Sequence, residues 1–518
     1  MRVRCDRLTL PTNHPAKANW SGILRRTFFF LILVLLVAGP IVALYYGADR
    51  GLAVEAGIRG VAEEKTGAGM RPSAASLTDR GPFLLGLIGL ILLVAAVAYA
   101  RITANAGLPI LLKWRLEPGQ GRTLAVVVHG RIGVSLVGDV IAESHANSLR
   151  PDVLVIDYPA HLFSNADPAE VARQLYEVID EVVRAPGKSY ERVILIGYSL
   201  GALICRRAYV LGCGYLLDRP EWMPARAERA WVGLVDRIIL LAGVNRGVSL
   251  RPRPAAMGWL TATVMRAFLI FARWTGTARQ GRAGEKGTPF VADLRVQWVR
   301  LVRERQARGK RLPTVIQLLG TVDDIVSEED DKDVAVARDF IRLRVNGTGH
   351  LGITDFRDRT YGPERRDKFL RALTSTEADI DRLRLENVEL PPRVDPEVKH
   401  VVFIMHGIRD MADWTSHFEG PLREAFHSAH PGEKVAVELS GYGYFGMGPF
   451  LLYSDRQANV RWFMDLYTEV LARYPNADGS VHFIGHSNGT YVLASALERY
   501  RTMAINRAVF LGSVVPRD

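Results

Sequence analysis

The sequence predicts an α/β protein, with a mostly parallel sheet and helices on both faces, joined to a pair of membrane helices at its N-terminal end. Three observations carry this prediction. Apolar, β-rich runs such as TLAVVV (Thr123–Val128), VLVID (Val153–Asp157) and RVILIGY (Arg192–Tyr198) alternate with segments of helical periodicity, the pattern of crossover-connected parallel strands. Two runs without a charge, Phe28–Tyr46 and Pro82–Ala100, are each long enough to span a bilayer. A strand ending in His-Gly, followed later by a strand ending in Gly-x-Ser-x-Gly, occurs twice.

Composition narrows the class. A chain of 518 residues exceeds one ordinary domain, and 48% hydrophobic with 23% charged residues excludes a disordered polymer. The net charge of +11 fits either nucleic acid or anionic lipid. The arginines are scattered, and no zinc-finger spacing or aromatic RNA-binding motif accompanies them, so no nucleic-acid partner is expected and lipid headgroups account for the charge. Cys5, Cys205 and Cys213 are too few for a disulfide framework and lack metal-ligand spacing. Cys205 lies in an apolar stretch and is expected as a small core residue.

The flanks of the apolar runs set their expected orientation. Arg2, Arg4, Arg7, Lys17, Arg25 and Arg26 precede the first run against Asp6 alone, and Arg101, Lys113 and Arg115 follow the second. The intervening loop is balanced in charge. The excess of positive charge at both ends predicts a hairpin with residues 47–81 outside and everything from about residue 101 in the cytoplasm. The first run is too long, and its charged leader too extended, for a cleaved signal peptide.

The repeated signature divides the rest. In the first copy it reads TLAVVVHG (Thr123–Gly130) and RVILIGYSLGALI (Arg192–Ile204); in the second, HVVFIMHG (His400–Gly407) and SVHFIGHSNGTYVLASAL (Ser480–Leu497). Pro391, Pro392 and Pro396 mark a linker between them. The expected layout is a tail and membrane hairpin over 1–105, an α/β domain over 106–385 with a cap near 252–300, a linker over 386–398 and an incomplete second domain over 399–518. A nucleophilic serine must protrude from a turn so sharp that flanking side chains would clash, hence glycines at Gly197 and Gly201. Ser199 then opens a helix, Leu200–Leu211, whose N-terminal N–H groups favour developing negative charge.

With these motifs in place, both copies resemble the α/β-hydrolase superfamily in its serine esterase and lipase branch, over residues 110–375 and, less completely, 399–518. The resemblance implies the chain order serine, acid, histidine. His350, the one histidine between His161 and His400, lies in NGTGHLGI, a glycine-rich loop resembling the family's Gly-His motif, and is the expected base. TVIQLLGTVDDIV (Thr314–Val326) resembles the family's Gly-x-x-Asp-x-x-Val and implies Asp323 as the acid, with Asp324 the alternative. The resemblance also implies backbone N–H groups of Leu200 and Arg131 as the oxyanion hole. Asn245-Arg246-Gly247 is similar to a lipase turn, Pro-His-x-Gly, but lacks its proline and histidine. Within Pro254–Trp274, the residues Met257, Trp259, Leu260, Val264, Phe268 and Phe271 recur at near-helical spacing, expected as a buried cap helix or an interfacial lid.

These expectations amount to a membrane-anchored serine hydrolase. It would cleave a carboxylic ester or lipid acyl bond, with membrane lipid or an acyl ester as substrate. Because nucleophile, base and acid are all side chains, no cofactor or metal is implied. The contrasting reading is a non-catalytic membrane scaffold that keeps the fold. In the second copy, Ser487 has the same local setting as Ser199. No histidine follows it and the one later aspartate is Asp518, so no triad can be completed in the same order. The second copy is therefore expected to contribute no catalysis, as the front of a longer domain or as a degenerate binding domain.

Overall fold

The computed structural model describes residues 77–106, 108, 110, 112–130, 135–143, 149–216, 226–249, 258–323, 325, 340–386, 394–410 and 414–515. They fall into two compact units. One takes in Gly107–Ala262 and Ala278–Asp518; the other holds the helix before Gly107 together with Thr263–Thr277.

The larger unit contains both copies of the repeated signature. The first builds a seven-stranded sheet from β1 (Lys113–Glu117), β2 (Thr123–Val128), β3 (Asp152–Asp157), β4 (Arg192–Tyr198), β5 (Val235–Leu241), β6 (Thr314–Gly320) and β7 (Phe340–Val345). The order is β1-β3-β2-β4-β5-β6-β7, parallel throughout except for β1. The helices here are α2 (Ser135–Glu143), α3 (Pro168–Val183), α4 (Leu200–Gly212), α6 (Pro289–Ala307), α7 (Gly362–Thr374) and α8 (Glu377–Glu386); α1 (Leu77–Ala104) and most of α5 (Trp259–Thr275) belong to the smaller unit.

Helices on both faces explain why the strands read as continuous apolar runs. In β2, Leu124, Val126 and Val128 pack with Leu175 and Ile179 of α3 and Leu203 of α4. Ala125 and Val127 point the other way, into a core with Phe369 of α7 and Leu383 of α8. The start of the crossover helix α3 is fixed locally. The Asp167 carboxylate accepts from the Ala169 N–H, and Pro168 occupies the first turn, where no donor is lost.

The second copy forms β8 (Val398–Met405), α9 (Thr415–Ala429), β9 (Lys434–Ser440), α10 (Tyr453–Arg473), β10 (Val481–His486), α11 (Asn488–Arg499) and β11 (Arg507–Leu511). Its four parallel strands run β11-β10-β8-β9, the same neighbour order as β5-β4-β2-β3 in the larger sheet. The fully buried β5 is flanked on both sides, whereas β11 is an edge strand exposed along its whole length, Phe510 included. Ala292 and Val296 of α6 share the second sheet's core, so one helix of the first copy closes it.

The membrane hairpin expected from the sequence is not supported. Among the described residues no helix is long and apolar enough to cross a membrane. The first run, 28–46, lies outside them, and the second falls within α1, whose side chains are described only from Gly89 on. There Leu90, Ile91, Val94 and Ile102 are exposed, while Ala96, Ala100 and Ala104 are buried. The cap segment is the helix α5, and it is not simply buried. Phe268 and Ala272 are inside, but Trp259, Leu260, Ile270 and Trp274 are exposed. Most of the linker expected over 386–398 lies outside the described residues.

Candidate active site

The turn between β4 and α4 is built by close backbone approach. A Cβ on Gly197 would lie 2.6 Å from Ala202 Cα, and one on Gly201 would lie 2.3 Å from the Val128 carbonyl oxygen. Gly130, of the His-Gly pair, faces the serine: a Cβ there would stand 2.9 Å from Ser199 Cβ. These glycines let β2, the turn and α4 converge, and the backbone strain falls on Ser199, at φ 53° and ψ −118°. Its N–H donates to the Leu241 carbonyl at 2.9 Å, which pins the turn to the end of β5.

His350 meets this serine from the loop after β7. Its Nε2 lies 2.9 Å from Ser199 Oγ and its Nδ1 lies 3.1 Å from Asp323 Oδ2. The other oxygen of Asp323 accepts the Ile325 N–H at 2.9 Å, so both carboxylate oxygens have partners. With the carboxylate accepting from Nδ1–H, the lone pair of Nε2 is left facing the serine hydroxyl. Ser199 is half-buried, whereas His350 and Asp323 are buried.

The His350 loop is closely packed: its histidine is buried, and Gly347 within it and Gly320 at the end of β6 permit near contact. A Cβ on Gly347 would sit 2.2 Å from the Tyr361 ring, and one on Gly320 would sit 1.9 Å from the Thr348 carbonyl oxygen. The Tyr198 hydroxyl donates to the His350 carbonyl at 3.3 Å, and Arg365 Nε donates to Thr348 Oγ1 at 2.9 Å. Leu200 is the first residue of α4, where N–H groups lack helical acceptors. Arg131 and Asp324 lie outside the described residues.

One feature of the site went unread in the sequence. Tyr158, just after β3, stacks on His129 with ring centres 4.3 Å apart and donates its hydroxyl to the His129 carbonyl at 2.5 Å. His129 Nδ1 is 2.6 Å from the Gly130 carbonyl oxygen. The tyrosine therefore clamps the backbone that leads into the segment facing Ser199, and burial pushes its hydroxyl pKa up. Tyr442, after β9, repeats the device in the second copy. It packs 4.3 Å from His406 and donates to the His406 carbonyl at 2.8 Å. A tyrosine one strand after each His-Gly was the signal available.

Ser487 reproduces the turn but not its partner. It sits at φ 50° and ψ −116°, and a Cβ on Gly407 would lie 2.7 Å from its Cβ. Among the described residues no histidine is hydrogen-bonded to its hydroxyl. His486 is exposed, edge-on to Trp414, and His406 Nδ1 is turned to the Gly407 carbonyl at 2.8 Å. Asn245 and Arg246, in the lipase-like turn, have other work. The Asn245 amide donates to buried Gln317 at 2.7 Å, and Arg246 pairs with Asp465 of the second copy at 2.6 Å. Cys205 is fully buried, and burial pushes its thiol pKa up, away from reactivity.

Residues 125–361 match the model of the Alpha/beta hydrolase family. No curated protein matches the sequence. Among solved structures, an esterase of Pyrobaculum calidifontis is 15% identical with a TM-score of 0.32, covering 64% of this chain and 98% of its own. A monoacylglycerol lipase of Paleococcus ferrophilus is 15% identical with a TM-score of 0.29, covering 53% and 98%. A phospholipase of Legionella pneumophila is 14% identical with a TM-score of 0.36, covering 52% and 63%. Likeness at these levels says nothing of substrate. The matched residues, somewhat under half of the chain, span the strands β2 to β7 and hold Ser199, Asp323 and His350; this part of the chain is similar to the Alpha/beta hydrolase family, which supports a hydrolase.

Proposed function

We propose that this chain is a membrane-anchored serine hydrolase that cleaves a carboxylic ester or a lipid acyl bond. The observation that carries the reading is the hydrogen-bonded series Ser199–His350–Asp323 within the hydrolase-family residues. Ser199 Oγ attacks the acyl carbonyl carbon while its proton passes to His350 Nε2. Asp323 holds the imidazole in the tautomer that accepts this proton and stabilises the imidazolium. The carbonyl oxygen takes up the negative charge against the N–H groups of Leu200 and Arg131. Collapse breaks the ester bond, and His350 returns the proton to the leaving alcohol. Water then attacks the acyl-serine by the same route in reverse and releases the acid.

Anchoring by the runs at 28–46 and 82–100 belongs to this proposal, with the hydrolase domain on the cytoplasmic side. Its support is the absence of charge in both runs and the exposed apolar side chains of α1 and α5. The second copy is proposed to be a partial duplicate of the hydrolase fold with no catalysis of its own, because Ser487 lacks a base among the described residues.

The full chain, expressed and separated into membrane and soluble fractions, tests these points together. A fluorophosphonate probe should label it in the membrane fraction, and Ser199→Ala should abolish labelling while Ser487→Ala leaves both labelling and ester hydrolysis unchanged. Loss of the base in a serine triad costs up to about 10⁶-fold in rate, so His350→Ala should be nearly inactive. Equal labelling of Ser199→Ala would refute the nucleophile. No labelling and no ester hydrolysis by the wild type would favour the scaffold reading, and recovery in the soluble fraction would refute the anchor.

A further inference from the structure

A second group of chemistry-bearing side chains lies in the second sheet, away from both serines. His400 stands near the start of β8 and His482 near the start of β10, whereas Ser487 follows the opposite end of β10. In the parallel register His482 pairs with Val402, two residues on from His400, so both imidazoles project from the same face of the sheet. That face is covered by α9, whose Phe426 touches both rings, at 5.4 Å from His400 and 5.6 Å from His482. The turn from α9 into β9 then brings His430 and Glu433 to the same edge.

The donor atoms converge there. His400 Nε2 lies 2.6 Å from Glu433 Oε2, and His430 Nδ1 lies 3.7 Å from that same oxygen. One nitrogen or oxygen from each of His400, His430 and Glu433 falls within 4.8 Å of the others. The His400 and His430 rings are 4.8 Å apart, and the His400 and His482 rings 5.8 Å. The His400 side chain is 13% exposed, against 45% for both His430 and Glu433, so the cluster has a buried floor and an open mouth. His482 Nε2, beside it, is buried with no hydrogen-bond partner among the described residues.

We propose that His400, His430 and Glu433 bind a divalent transition-metal ion of the zinc class. Two imidazoles and one carboxylate are the donors that suit zinc, copper or nickel, whereas calcium and magnesium call for oxygen donors throughout. Tetrahedral bonds of about 2.0–2.1 Å place neighbouring donors roughly 3.3 Å apart. The 2.6 Å and 3.7 Å separations lie on either side of that value, so shifts below about 1 Å convert the existing ion pair into a coordination set. Water completes the sphere, or His482 does so through its unpartnered nitrogen. The three ligands come from β8 and from the turn before β9, and an ion shared between them fastens that turn to the sheet. At the end of the sheet opposite Ser487, such an ion stabilises the second copy and takes no part in hydrolysis. The inference does not rest on the proposed function, whose chemistry implied no metal.

Metal-free full chain in detergent, titrated with ZnCl2 by calorimetry and followed by thermal unfolding, tests the site. The wild type should bind one equivalent that raises its unfolding temperature. His430→Ala and Glu433→Gln should each weaken that equivalent on the order of 10²-fold and lose the thermal shift, with ester hydrolysis unchanged. Both residues are half exposed, so neither substitution empties the core. A wild type that binds no zinc at one equivalent overturns the proposal. So do variants that bind as tightly as the wild type, because the ion would then sit elsewhere.

Discussion

Ser199 is held at φ 53°, a region non-glycine residues enter at a cost of about 1–3 kcal/mol. The cost is tolerated because neighbours fix the backbone on both sides, through the bond to Leu241 and the glycine contacts. Tyr158 extends the same fixation to the strand opposite, and that makes it a positioning residue. Tyr158→Phe keeps the ring stacked on His129 but leaves the His129 carbonyl without the hydroxyl that donates to it. An unsatisfied buried acceptor costs about 1–3 kcal/mol. The variant should therefore unfold at lower temperature. Its kcat should fall about ten-fold with KM little changed, if the segment after Gly130 stabilises the transition state more than the ground state. Steady-state hydrolysis and thermal melts measure both effects.

At the scale of elements, the site exists because α4 and β2 approach at backbone contact. Gly201→Ala would force a Cβ to within 2.3 Å of the Val128 carbonyl oxygen, a backbone atom that cannot swing aside. Overpacking of this kind costs about 1–3 kcal/mol or more. It should also displace the Ser199 turn, lowering both the urea midpoint and the hydrolysis rate. Gly138, inside α2, has 3.9 Å to its nearest neighbour, a side-chain methyl. Gly138→Ala should raise stability by about 0.5–1 kcal/mol through helix propensity and leave the rate unchanged. If the two alanines behaved alike, the close approach would not be what limits the site. The same elements show what local sequence conveys: β2, β4 and the start of α4 were legible because strand apolarity and the paired glycines act over a few residues. The packed state of the His350 loop was not, since its glycines answer to Tyr361 and Thr348, which are distant or unremarkable in sequence.

On the scale of the larger unit, buried charge joins the two sheets. Asp465 of α10 accepts from Arg295 and pairs with Arg246 at 2.6 Å and Lys286 at 3.4 Å. Arg300 forks onto Asp478 at 3.0 and 3.1 Å, and Asp293 accepts from Thr502 Oγ1 at 2.6 Å. Burial alone would raise the Asp465 pKa, but Arg295, Arg246 and Lys286 outweigh it and hold the group at about 2. A carboxyl lowered on folding contributes stability that is complete above its ordinary pKa and is lost as pH falls from about 4 to about 2. The shift is worth about 2 kcal/mol. Asp465→Asn should remove that acid-dependent part. It should also lower stability at neutral pH by about 3 kcal/mol, because buried Arg295 loses its counter-charge. Urea unfolding across pH 2 to 7 checks both, and an unchanged acid slope in the variant would refute the assignment.

The sequence by itself determined the α/β class, the two serine turns and the identity of the residues that meet at the first of them. Each of these depends on a short pattern: apolar runs, glycines that permit contact, and a serine before a helix. His350 and Asp323 were reached through chain order and motif resemblance, since no local signal ties residues so far apart. Only the tertiary structure decided that they share one hydrogen-bonded series with Ser199 and that their loop is packed. Strand order within each sheet brings Tyr158 onto His129 and His400, His430 and Glu433 to one edge, and packing between the two sheets brings Arg246 onto Asp465. Those contacts join segments from 29 to more than 200 residues apart, and side-chain partners at such separation are selected by packing, which no short stretch of sequence encodes.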